Sequence, residues 1–296
     1  MKVLVIGTEG QLARSLREAV LPAGVTLESL GRPCLDLADA AGAAAAVERV
    51  RPGLVVNAAA YTAVDRAESD ADAAFAINAA GPEALARACD ELGMPLLHVS
   101  TDYVFDGSKP APYVEDDPVA PLGVYGRSKL EGEQRVAVLC PRHLILRTAW
   151  VYSPFGNNFV KTMLRLAGTR DEIAVVDDQI GNPTYAPHLA DAILALAGHL
   201  AEGREVAWGI YHAAGTGDVT WCGLAREVFV QSARHGGPVA RVRAITTAEY
   251  PTPARRPANS RLDCGRLRQA LGHGLPAWQS GIENCVARLL GQPATA

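Results

Sequence analysis

Lys2-Val-Leu-Val-Ile6 runs directly into Gly7-Thr-Glu-Gly10-Gln-Leu-Ala13. A short unbroken apolar run bounded by glycine reads as a parallel strand covered on both faces. The turn after it opens a helix. Gly7 permits the tight bend, and Gly10 lets a pyrophosphate approach the N–H groups at the helix N-terminus. Ala13 is small enough for close helix–strand packing. A glycine pattern alone is weak evidence, but its place between a first strand and a first helix makes it much stronger. The bland alternative is a tight turn with no ligand.

The same alternation continues downstream. Residues 25–30, 54–57, 96–100 and 144–147 are further apolar runs, separated by helix-length segments at 11–20, 40–50, 71–92 and from near Tyr125. This βαβ rhythm predicts an α/β fold: a Rossmann-type, doubly wound parallel sheet over residues 1–150. After residue 150 the pattern loosens, with a strand at 173–176, a helix at 187–201, a strand near 209–213, a helix at 221–232 and a proline-rich stretch at 251–257. Residues 151–296 therefore read as a smaller, mainly substrate-binding lobe, some of whose segments return to the sheet. Pro293–Ala296 reads as a frayed tail.

Composition narrows the function classes. The chain has 296 residues and is 49% hydrophobic, enough for a sizeable core. A formal charge of −4 gives no reason to expect nucleic acid or an anionic membrane as partner. The chain contains no apolar run of membrane-spanning length, and Lys2–Ile6 reads as a strand, not as a signal peptide. The six cysteines are scattered without a CxxC pair, so reduced thiols and a cytoplasmic setting are the default.

Two segments carry the chemistry. Ser100-Thr101-Asp102-Tyr103-Val104-Phe105 puts a hydroxyl at the mouth of an apolar strand, behind Val99. Tyr125-Gly-Arg-Ser-Lys129 then sets a phenol and an ammonium four residues apart, on one face of a helix. Protonating a carbonyl oxygen while its carbon receives hydride needs such groups. A free phenol titrates near 10, so the Tyr125 value is expected to be lowered by Lys129. Small residues after the third strand, Asn57-Ala58-Ala59-Ala60-Tyr61-Thr62, leave room for a cofactor; their alternative role is close helix packing. The second strand ends Leu30-Gly31-Arg32, with an arginine near the place where NAD-binding sites carry a carboxylate. That favours NADPH, with NADH as the alternative. Asp36 and Leu37 are candidates for the adenine, although Asp36 suits equally the N-cap of the next helix.

These residues resemble the extended short-chain dehydrogenase/reductases. Within them, the closer likeness is to the dTDP-4-dehydrorhamnose reductase family. Its signatures stand here as Gly10-Gln11-Leu12, the run from Asn57 to Glu68, Ser100–Gly107, Tyr125–Gly132, Arg147–Tyr152, Gly156–Phe159, Asp178–Thr184 and Arg256-Pro-x-x-Ser260. The likeness runs in order over nearly the whole chain. It implies reduction of the C4 keto group of a dTDP-sugar, with Thr101, Tyr125 and Lys129 catalytic. Gly7, Gly10, Gln11, Leu12, Arg32, Asp36, Leu37, Ala59, Ala60, Tyr61, Thr62 and Val99 would hold the cofactor together with Tyr125 and Lys129. Thr101, Val104, Phe105, Trp150, Asn158, Asn182 and Arg256 would meet the substrate, with Asn157, Gln179 and Arg255 as further candidates. Core packing, turns and surface ion pairs are the alternative roles of these last residues other than Thr101. Some members are metal-bridged dimers relying on carboxylates. Ser15 stands at one such position, so Mg²⁺ is doubtful, no metal is assigned, and homodimerisation stays open.

Two other activities compete. A dehydratase of this superfamily carries a carboxylate pair after the threonine, and Tyr103 replaces the second member, which disfavours elimination. A 4-epimerase retains its nicotinamide and usually prefers NAD, which Gly31-Arg32 weakly opposes. A non-catalytic alternative is a regulatory β subunit of methionine adenosyltransferase, which resembles the same family.

Overall fold

The computed structural model describes residues 1–291; the Pro293–Ala296 tail lies outside them. Five strands follow the expected order: β1 (Lys2–Ile6), β2 (Thr26–Leu30), β3 (Leu54–Asn57), β4 (Leu96–Thr101) and β5 (His143–Thr148). With the strand Gly209–His212 they form a parallel six-stranded sheet. From β1 the chain runs outward to β2 on one side and to β3, β4, β5 and Gly209–His212 on the other. That reversal opens a crevice between β1 and β3 at their carboxyl ends, the usual ligand position in doubly wound sheets.

Each face of the sheet has its own core. One packs Val3, Val5 and Leu97 against helix α1 (Gln11–Glu18) and the helix Ala186–Ala201. The other packs Leu4, Ile6 and Leu96 against α2 (Ala40–Val50) and the helix Gly81–Glu91. Successive side chains of a strand point to opposite faces, so burial on both sides explains the unbroken apolar runs. A separate core joins the helices Phe159–Ala167, Trp221–Arg234 and Trp278–Leu289 to the strand Glu172–Val176. That strand pairs with Arg241–Ile245, which sequence reading had not singled out.

Two expectations are corrected. Residues 71–92 are not one regular helix: Ala71–Phe75, a π-helical stretch Ala76–Ala80 and Gly81–Glu91 follow one another. Pro82 has no N–H to continue the regular ladder, and within the widened stretch Asn78 holds the Tyr61 backbone and the Ser128 hydroxyl. Asp36 is not the cap of α2. Asp39 is, accepting from Gly42 N at 3.1 Å, while Asp36 accepts from Ala38 N in its own turn.

Candidate active site

A cleft of about 780 Å³ crosses the carboxyl ends of β1, β3 and β4. This lies within the range of small-molecule sites. Gly7 sits there at φ +120°, a conformation that side chains rarely adopt. Its amide donates to the Leu30 carbonyl at 2.6 Å, locking the turn. Gly10 is the N-cap of α1 and offers no capping side chain, so the first-turn N–H groups are left for a ligand. A Cβ on Gly10 would meet no protein atom within 4 Å, so the space beside the turn is open to a bulky anion. Leu12, Gln11, Ala59, Ala60, Thr62, Val99, Asp36 and Leu37 also line the cleft.

At the end of β2 a shallower hollow of about 460 Å³ continues the cleft. Arg32 lines both, and Arg17 from α1 faces the same hollow. Arg17 was missed in the sequence, because only the helix brings it beside the end of a different strand. Tyr61 does not line the cleft. Its backbone N–H and carbonyl are held by Asn78, and its hydroxyl donates to Asp70 at 3.0 Å.

The other end of the cleft is built by β4 and the helix Val124–Leu139. Val124 N donates to Glu68 Oε1 at 2.8 Å, anchoring the helix start. A Cβ at Gly126 would strike the Tyr103 carbonyl oxygen, so only glycine lets this helix settle against the end of β4. Further along, Glu133 and Arg147 form a buried pair (2.7 Å, each side chain 3% exposed) that ties the helix to β5. The result brings Thr101, Tyr125 and Lys129 together at one end of the cleft. The Tyr125 ring packs edge-on against Tyr103, with ring centres 5.6 Å apart, and its phenol faces the Thr101 hydroxyl.

The protonation states differ from expectation. Burial pushes the Tyr125 phenol up, to about 12, partly offset by the Thr101 hydrogen bond. Lys129 does not lower it in the free protein, because its Nζ is turned to the Val99 carbonyl oxygen (2.7 Å) and to His98 Nε2 (3.4 Å). Burial brings the Lys129 ammonium down, to about 8. Asp102, weighed in the sequence only as half of a dehydratase pair, is 2% exposed and lines the cleft. Burial raises its carboxyl to about 7.

The substrate candidates divide. Trp150 lines the cleft at φ +46°, stacked on Trp221 with ring centres 3.5 Å apart and its Nε1 donating to Ser260 Oγ. Trp221 was missed; its partner is remote in sequence. Asn157 and Asn158 reach the cleft wall. Asn158, however, caps the helix Phe159–Ala167 and gives its amide to Gln11, Ser153 and Phe155. Val104 and Phe105 are not in the cleft: they are 0% and 1% exposed, in a core with Tyr113 and Leu262. The chain turns at Asp102–Val104, which sends both side chains behind β4. Asn182 lies outside the cleft too, donating to the Gly217 carbonyl and accepting from Leu262 N, both at 2.7 Å. Gln179 links Thr247 and Trp221, and Arg256 pairs with Asp65 at 2.8 Å. Arg255 is exposed. Ser15 is 3% exposed and donates to the Gln11 carbonyl.

The model of the RmlD substrate binding domain matches residues 1–290. A dTDP-4-dehydrorhamnose reductase of Sinorhizobium fredii is 47% identical over 291 residues, covering 98% of each chain. The crystal structure of such a reductase from Clostridium acetobutylicum superimposes with a TM-score of 0.90 at 37% identity, over 98% of this chain and 99% of the other. One from Bacillus anthracis, in complex with NADP, gives 0.89 at 36% identity, over 97% and 99%. A glycine turn, a Thr–Tyr–Lys set at one end of the cleft and likeness over the full length together place this chain in the dTDP-4-dehydrorhamnose reductase (RmlD) family.

Proposed function

We propose that this protein reduces the C4 keto group of dTDP-4-dehydrorhamnose to give dTDP-L-rhamnose, using NADPH. The observation that carries the reading is one cleft with a glycine turn and uncapped helix end at one side and Thr101, Tyr125 and Lys129 at the other. The Bacillus anthracis relative was solved with NADP. Here Arg32 and Arg17 flank the hollow at the end of β2, where a 2′-phosphate would find charge-assisted donors.

NADPH, when bound, supplies the hydride that reaches C4. Tyr125 donates its phenolic proton to the C4 oxygen, so carbonyl becomes hydroxyl. The high value of the phenol in the free protein keeps that proton in place until an acceptor arrives. Lys129, one turn along the helix, favours the phenolate left behind. Thr101 orients the oxygen by a hydrogen bond. Trp150, stacked on Trp221, forms an apolar wall for the sugar. Six free cysteines, four of them buried, support a reducing cytoplasmic setting, and no helix among the described residues is long and apolar enough to cross a membrane.

The test is purified protein with dTDP-4-dehydrorhamnose and NADPH, followed by nicotinamide absorbance and product analysis. No oxidation, with an active relative run in parallel, would overturn the reading. Tyr125→Phe should abolish turnover and leave NADPH binding intact; retained turnover would remove Tyr125 as the acid.

A further inference from the structure

Thr101 closes β4, and Asp102 begins the short 3₁₀ turn after it. The Thr101 hydroxyl lies 2.9 Å from Asp102 Oδ1 and accepts from Tyr103 N at 3.2 Å. Asp102 Oδ2 is buried with no hydrogen-bond partner among the described residues. A hydroxyl has one proton and two lone pairs. An ionised Asp102 can only accept, so it takes the Thr101 proton. Thr101 then has only lone pairs to offer, and Tyr125 is drawn to them instead of to a substrate. A protonated Asp102 reverses the 2.9 Å contact. Its O–H and the Tyr103 N–H fill both lone pairs of Thr101, the Thr101 proton is released towards the keto oxygen, and Tyr125 is free to donate to the same atom.

We propose that Asp102 is a positioning residue for the reduction, its carboxyl proton deciding whether Thr101 donates to the keto oxygen. The groups facing it are the Thr101 and Ser260 hydroxyls, the N–H groups of Asp102 and Tyr103, and the phenols of Tyr103 and Tyr125. The Arg256–Asp65 pair lies beyond Tyr103. Burial outweighs the hydrogen bonds and holds the carboxyl at about 7, so the switch works within the physiological range.

The inference rests on the reductase reading, and one experiment separates the two. kcat/KM for dTDP-4-dehydrorhamnose is measured from pH 5.5 to 9 at saturating NADPH, with wild type, Asp102→Asn and Thr101→Val. Wild type should lose activity about tenfold per pH unit above about 7. Asp102→Asn has no such proton and should lose that limb. Thr101→Val, with no hydroxyl to orient, should run about tenfold slower and lose it as well. A limb unchanged in Asp102→Asn would overturn the inference. So would one that persists in Thr101→Val, which would mean a direct field on Tyr125, and so would a wild-type profile flat through 7. Wild type inactive at every pH would instead remove the reductase reading.

Discussion

Asp102→Asn should stabilise the free protein at alkaline pH and not at acid pH. Burial raises the Asp102 carboxyl from 3.8 to about 7 in the folded chain. A value raised on folding contributes stability that is fully present below the unfolded value and is lost as pH rises through the folded one. Between pH 5 and about 7, the folded protein holds a proton that the unfolded chain has largely released. At about 1.36 kcal/mol per pH unit, those two units cost about 3 kcal/mol, and the loss then levels off. Asparagine fills the same space and has no proton to lose. The stability of the variant minus that of wild type should therefore grow by about 3 kcal/mol from pH 5 to pH 8.5, or about 5 °C in Tm for a chain of this length. Urea denaturation of both proteins without NADPH measures it, and the titrating groups the two share cancel in the difference. A difference that stays constant within about 0.5 kcal/mol would mean that Asp102 is charged in the fold throughout. The proton control of Thr101 would then have no basis.

Glu133→Gln leaves the Arg147 guanidinium buried without its counter-charge, and should cost about 3–5 kcal/mol in denaturant unfolding; a loss below about 1 kcal/mol would show that the pair does not hold the helix Val124–Leu139 to β5. Arg32→Ser, at the shared edge of the two hollows, should lower kcat/KM with NADPH about tenfold and leave NADH unaffected; an unchanged NADPH/NADH ratio would exclude Arg32 from a 2′-phosphate site. Trp221→Ala removes the indole stacked on Trp150 and should raise KM for the nucleotide sugar about tenfold at constant NADPH affinity, whereas an unchanged KM would make the stack a packing feature only.

The parts legible in the sequence are those set by local periodicity. Lys2–Ile6 is apolar on both faces, so it had to be an inner strand, and Gly7 had to be the turn because φ +120° excludes other residues at low cost. Tyr125 and Lys129 share a helix face because four residues make about one turn. The second half resisted reading because its core joins short segments whose partners lie far along the chain. Whether a polar side chain is free for substrate depends on where its hydrogen bonds are already committed. Asn158 is engaged by a helix end and Gln11, Asn182 by Gly217 and Leu262, and Arg256 by Asp65. Whether an apolar one meets substrate depends on which side of a turn it falls, and Val104 and Phe105 fell on the core side. The sequence by itself determined the glycine turn, the parallel sheet and the Thr101, Tyr125, Lys129 set, because dihedral preference and helical or strand period act over a few residues. Only the tertiary structure decided that Asp102 is buried beside Thr101 and that Trp150 stacks on Trp221, because burial and hydrogen-bond partners are set by segments remote in the chain.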